Sequence, residues 1–96
     1  MRISEFIPIG RNNSTPMKTL SKRLNKDPRT LRALVQRERE KGEPICSNWE
    51  QGGYYMPANE FEARIYYRQQ RSRIKSAIAA LNGVKKYLKG KGDNGQ

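Results

Sequence analysis

Histidine is absent from the chain and cysteine occurs once, at position 46. The first absence removes the most frequent general base at neutral pH, the usual partner of a serine or cysteine nucleophile, and the most frequent zinc ligand. The second excludes an internal disulfide and a thiolate metal cluster. Catalysis would have to rest on a few carboxylates, lysines or tyrosines, so the composition points to a protein that is not an enzyme and needs no metal or cofactor. Long apolar runs are missing as well, and nothing here is long enough to cross a bilayer. The opening Met1-Arg2-Ile3-Ser4-Glu5-Phe6-Ile7-Pro8 is interrupted by Glu5 and Pro8, unlike the core of a signal peptide, which leads to the expectation of a cytoplasmic protein.

Acidic side chains are the next scarcity: 9 against 20 lysines and arginines, for a formal net charge of +11 in 96 residues. Residues 1–63 hold 11 basic and 8 acidic side chains, a surplus of +3, whereas residues 64–96 hold 9 basic side chains against Asp93 alone, +8. A polyanion is the partner this balance suggests, since every neutralised phosphate releases condensed counterions. With 34% hydrophobic residues the core is thin. The length allows one compact body and a part that projects or binds a partner.

Turn and cap residues divide the first half clearly. Asn12-Asn13-Ser14-Thr15-Pro16 ends in a hydroxyl cap followed by proline, and predicts a short helix with Met17, Leu20 and Leu24 on one side. Asn25-Lys26 makes a tight turn. Asp27-Pro28 repeats the cap-plus-proline signal and starts a second helix over 28–41, stopped by Gly42 and Pro44. Two helices joined by so few residues cross steeply, as in a helix-turn-helix. On the second, Leu31, Leu34, Val35 and the stem of Glu38 share the inward face, while Arg29, Ala33, Gln36 and Glu40 face outward, flanked by Thr30, Arg32 and Arg37. Arginine pairs with guanine and glutamine with adenine in a major groove, so Arg29, Arg32, Gln36 and Arg37 are the candidate base readers. An ordinary solvated face has much the same composition.

Ile45-Cys46-Ser47 and Tyr54-Tyr55-Met56 are short β-prone runs separated by residues 48–53, whose Gly52-Gly53 supplies the positive φ angles of a turn. Helix, helix and hairpin in this order predict a winged helix, with 48–53 as the wing tip and Ile3 to Ile7 adding a short helix or strand that buries Phe6 and Ile7. Trp49 either lies along a DNA backbone or minor groove, or folds back onto the hairpin. At this point the chain resembles small winged helix-turn-helix proteins of bacteria and their phages, particularly uncharacterised Gram-positive and prophage domains. The resemblance rests on the Ile3 to Gly10 opening, the two capped helices at 15–41, and Gly42-Glu43-Pro44-Ile45-Cys46-Ser47 followed by Gly53-Tyr54-Tyr55, and it covers roughly residues 3–82. It implies DNA binding through helix 28–41 with support from the wing, and no particular target, because the fold serves many roles.

Pro57-Ala58-Asn59 is a further helix start, with Asn59 as cap. We expect a body over 1–57, a long C-terminal helix over 58–89 and a disordered tail over 90–96, with Gly83 a weak point in the helix. Phe61 and Ile65 would close the core. A second stripe, Tyr67, Ile74, Ala77, Ile78, Leu81, Val84 and Leu88, reads as short heptads and suggests a homodimer seam; a helix bent back at Gly83 or near Ser72 is the alternative. Lys18, Lys22, Thr30, Trp49, Arg64, Arg68 and Arg71 are the candidate contacts to a phosphate backbone. The fold class expected is mainly α with a small β-hairpin, a winged helix-turn-helix followed by a long helix. The function expected is binding of double-stranded DNA, as a transcriptional regulator or as a replication or recombination accessory factor. The alternatives are RNA binding through Trp49, Tyr54 or Tyr55, and a protein-interaction adaptor assembling through the C-terminal helix.

Overall fold

The computed structural model describes residues 2–90, and the chain is mainly helical with one small two-stranded antiparallel sheet. A 3-10 helix, Ile3–Phe6, is followed by a second, Arg11–Asn13, then α1 (Met17–Leu24), α2 (Pro28–Glu40), β1 (Cys46–Ser47), β2 (Tyr54–Tyr55), α3 (Glu60–Ala79) and α4 (Asn82–Gly90). Two compact units divide between Tyr66 and Tyr67, inside α3.

In the first unit the expected helix pair forms, with one start made differently. Leu20 of α1 is wholly buried, and Met17 and Leu24 pack beside it. The Thr15 hydroxyl does not cap this helix, which begins after Pro16 without a side-chain cap. Thr15 instead exchanges two backbone hydrogen bonds with Tyr54, each 2.9 Å, and so adds a one-residue bridge beside the hairpin. A backbone drawn out into a strand pairing is no longer placed to aim its hydroxyl at the next helical turn. At the other end Asn25 closes α1 in the left-handed region, φ 52°, a conformation asparagine tolerates better than most residues. Asp27 does cap α2: its Oδ1 accepts the Thr30 N–H at 2.9 Å, with Pro28 at the first helical position. This bond, made to the ionised carboxylate, holds the Asp27 pKa below its ordinary value.

The core is Ile3, Ile7, Leu20, Leu31, Val35 and Ile45, each burial worth about 1.5–3 kcal/mol. The buried charged residue among the described residues is Glu38, which is 7% exposed and accepts the N–H of Ile3 at 2.6 Å and of Ser4 at 3.0 Å. That clamp turns the N-terminal side of the first 3-10 helix inward. Phe6, expected in the core, is left at its margin and is 41% exposed.

The hairpin pairs Cys46 with Tyr55 and Ser47 with Tyr54. Gly52 and Gly53 take φ of +85° and +92°, as the turn requires. At Gly53 a Cβ would also lie 2.6 Å from the Thr15 carbonyl carbon, whereas at Gly52 it would meet nothing within 4 Å. Gly53→Ala is therefore expected to cost more than the about 1–3 kcal/mol of backbone strain alone, and Gly52→Ala no more than that strain. Thermal unfolding of the two variants checks the order, and equal losses would sink the close-packing argument.

The first turns of α3 belong to this unit. The Asn59 Oδ1 accepts the Glu62 N–H at 3.0 Å, as a cap should, and Glu62 Oε1 accepts the N–H of Ala58 at 2.9 Å and of Arg11 at 3.0 Å. These bonds set the rotation of the helix. Phe61, about 100° away from Glu62 around the axis, is consequently 71% exposed and does not close the core. The half-buried residues on this stretch are Glu62, Ala63, Ile65 and Tyr66.

In the second unit the expected single helix is two. α3 ends at Ala79, its last turn tightened by a 3.0 Å bond from the Leu81 N–H to the Ile78 carbonyl, and the Leu81 carbonyl then accepts the Lys85 N–H at 2.8 Å to open α4. Asn82 and Gly83, both weak helix formers, follow the junction directly. The expected seam is thus interrupted: Tyr67, Ile74, Ala77 and Ile78 belong to α3, Leu81 to the junction, and Val84 and Leu88 to α4. α4 runs through Lys89 and Gly90, and the rest of the expected tail, 91–96, lies outside the described residues.

Candidate nucleic-acid interface

The first unit carries eight carboxylates, and each is engaged. Glu38 and Glu62 hold backbone N–H groups, Asp27 caps α2, and Glu40 accepts the Gln36 amide at 2.9 Å. Glu5 and Glu43 pair with Arg2, Glu50 with Arg11 at 2.6 Å, and Glu60 with Arg64. The hydrogen bond to Glu50 raises the Arg11 pKa. Only three arginines are consumed in these ion pairs. The surplus falls on α1, α2 and the turn between them, where Lys18, Lys22, Arg23, Lys26, Arg29, Arg32 and Arg37 have no ion-pair partner among the described residues. A modest sum of +4 over this unit, 12 basic against 8 acidic side chains, therefore conceals a strongly polarised surface.

All four candidate base readers are exposed. Arg29, Arg32 and Gln36 lie within an arc of about 60° at 100° per residue, and Arg37 lies further round. Asp27, Leu31, Val35 and Glu38 hold the opposite side of α2 to its cap and to the core, so the arginine stems project from a fixed helix. Gln36 donates its amide to Glu40, and Thr30 donates its hydroxyl to Asp27 at 3.1 Å. Both groups keep acceptor oxygens for another partner.

Beside α2 an open groove of about 230 Å³ is lined by Met17, Arg32, Ser47, Asn48, Trp49, Gly52, Gly53 and Tyr54. It brings together Arg32 and Trp49, two residues singled out on separate grounds. Trp49 is 41% exposed at its edge. The loop carrying it is built around Asn48, which is 2% exposed and fully used: Oδ1 accepts the N–H of Glu50 and of Gln51, each at 3.1 Å, and Nδ2 donates to the Arg11 carbonyl and the Ser14 hydroxyl. The Ser14 hydroxyl in turn donates to the Gly52 carbonyl at 3.1 Å.

Behind the hairpin, Arg39 donates to the Ile45 carbonyl at 2.8 Å and to the Ser47 hydroxyl at 3.0 Å, with its guanidinium 5.8 Å from the Tyr54 ring centroid and 5.2 Å from that of Tyr66. This arginine joins β1, β2 and α3. Tyr55 is fully buried, donates to the Glu62 carbonyl at 3.3 Å, and has its phenol pushed up to about 12 by burial and by neighbouring Cys46. Burial likewise raises the Cys46 thiol and, against the opposing charge of Arg39, the Tyr66 phenol. A phenol that ionises later in the folded than in the unfolded chain stabilises the fold fully below pH of about 10, and that contribution is lost as pH climbs toward about 12. Ultraviolet titration should show Tyr55 as a late-ionising tyrosine, with Tyr55→Phe flattening the alkaline loss of stability; an unchanged alkaline limb would refute this.

Among the remaining candidates, Lys18 and Lys22 are exposed on α1. Arg64 is held by Glu60. Arg68 and Arg71, in the second unit, are exposed, and the Arg71 guanidinium lies 5.7 Å from the Tyr67 ring centroid. Among the described residues no group of three His, Cys, Asp or Glu is arranged to hold a metal ion, and no helix is long and apolar enough to cross a membrane. Comparison of the chain with protein-family models, with curated proteins and with solved structures returned no match.

Proposed function

We propose that the chain is a winged helix-turn-helix protein that binds double-stranded DNA, of the kind that bacteria and phages use as transcriptional regulators or as replication or recombination accessory factors. In this reading α2 enters the major groove, Arg29, Arg32, Gln36 and Arg37 face base edges, and the 48–53 loop is the wing that places Trp49 on the flanking backbone. Lys18 and Lys22 neutralise phosphates. Its function is binding, without a catalytic step.

One observation carries this: the carboxylates of the first unit are engaged elsewhere, while seven exposed cations on α1, α2 and their turn stand without ion pairs among the described residues. Such a surface recruits a polyanion, and a rigid helix with planar donors suits a duplex groove. Single-stranded RNA is less well served, because Tyr55 is buried and Tyr54 is covered by Arg39, which leaves Trp49 as the one candidate platform for stacking on this hairpin. The test is selection of bound duplexes from a random pool, followed by competition with single-stranded RNA over a salt series. An enriched motif, preferred over RNA and lost steeply with salt, is expected. A chain that enriches no sequence and takes RNA as readily would defeat the proposal.

A further inference from the structure

The second unit carries a feature that phosphate binding leaves unused. On α3 beyond the division, Tyr67, Ile74 and Ile78 fall within an arc of about 40° and are 60%, 50% and 60% exposed. Arg71, Lys75 and Arg68 follow one edge of this narrow row. The guanidinium of Arg71 is held against the Tyr67 ring, so a cation sits at the border of the apolar row rather than swinging free. α4 has a related pattern, with Val84 and Leu88, each 56% exposed, on one side and Lys86 and Lys89 on the other. Between Glu62 and Asp93 the chain has no carboxylate to neutralise any of these cations.

We propose that the α3 row is a docking site for an acidic amphipathic helix of a partner protein, whose apolar residues cover Tyr67, Ile74 and Ile78 and whose carboxylate edge pairs with Arg68, Arg71 and Lys75. Charge selects this occupant. A second copy of the chain would bring the same cations to the same row, and like charges set face to face disfavour association. A DNA backbone satisfies the cations but leaves two isoleucines in water. A bilayer surface calls for a broad apolar face, wider than about 100°, which this row lacks. A partner helix reads a row of this width at positions three, four and seven apart, and its charged flank sets specificity. The proposal goes beyond DNA binding and stands without it.

The full chain is titrated into a fluorescein-labelled designed helical peptide with leucines on one face and glutamates along its edge, and into the same peptide with lysine for every glutamate. Binding of the glutamate peptide is expected to be stronger by about tenfold or more. The double variant Ile74→Ser/Ile78→Ser should lose about tenfold or more of it, while its thermal midpoint and duplex binding match the parent, since neither isoleucine is part of the core. No binding of the glutamate peptide, equal binding of both peptides, or glutamate binding that survives in the double variant overturns the proposal. So does a micromolar dimer in sedimentation equilibrium that the variant dissolves, which would make a second copy the occupant. Attachment to phosphatidylserine vesicles that the variant loses and the peptide does not compete would assign the row to a membrane instead.

Discussion

Replacing Arg29 and Arg32 together by alanine should abolish most of the discrimination between a selected duplex and a scrambled one while leaving the protein folded. Both side chains are exposed on α2 and neither has an ion-pair partner among the described residues, so their removal opens no cavity and orphans no carboxylate. Each bidentate contact to guanine is worth about 1–3 kcal/mol of discrimination, so the pair stands for about 2–6 kcal/mol, from about tens to tens of thousands of fold in relative affinity. Lys22→Ala, on the exposed side of α1, is the contrast. A phosphate contact there lowers affinity for all sequences alike and reduces the slope of log affinity against log salt by about 1. Fluorescence anisotropy on the two duplexes at several salt concentrations separates the cases. Equal losses on both duplexes for the α2 pair would mean that Arg29 and Arg32 touch phosphates and that the reading surface lies elsewhere.

The parts of this surface that were legible in the sequence are those written within one helical turn. Asp27-Pro28 announced the start of α2 because a cap acts three residues away, and Leu31 and Val35 announced its buried face because helical neighbours recur at fixed spacing. The glycines of the hairpin were equally local. What escaped involves partners far along the chain. Thr15-Pro16 has the same local form as a cap, yet Thr15 pairs with Tyr54, and the approach of Gly53 to that backbone is visible only in three dimensions. Asn48 resembled any loop asparagine, although an asparagine opening a turn with two later N–H groups in reach was the available signal. Nothing local distinguishes Arg39 from the other arginines of α2, and its place between Tyr54 and Tyr66 depends on residues far along the chain. Hydrophobicity at Phe6 and helical spacing with Ile65 at Phe61 both point inward, and carboxylate clamps from Glu38 and Glu62 set the rotations that turn them out. The charge sum failed for a related reason. It cannot tell an arginine neutralised by a distant glutamate from one left facing solvent, and that difference defines the candidate site.

Glu38→Ala should be among the most damaging single substitutions in the chain, although it removes a charged residue from a helix. In the folded protein its carboxylate accepts the N–H groups of Ile3 and Ser4, and it lies 7% exposed beneath the N-terminal 3-10 helix. Deleting it strands two buried donors, each at a cost of about 1–3 kcal/mol, so the loss is about 2–6 kcal/mol. Against the about 5–15 kcal/mol that holds a small domain together, this is a large fraction. Glu38→Gln keeps one acceptor oxygen but turns an amide N–H toward the other donor, and should fall between the parent and the alanine variant. Urea unfolding gives the order, and hydrogen exchange gives the site, since the Ile3 and Ser4 amides should lose protection before those of α2. A loss below about 0.5 kcal/mol with both amides still protected would show that the clamp contributes nothing. Glu38 also lies about 180° around α2 from Arg29. The residue that fastens the helix to the core and the residue proposed to read bases are thus opposite ends of one lever. Weaker duplex binding by the Glu38 variants should therefore follow the fraction unfolded, and binding that falls further than the folded fraction would mean that the clamp also sets how α2 is presented.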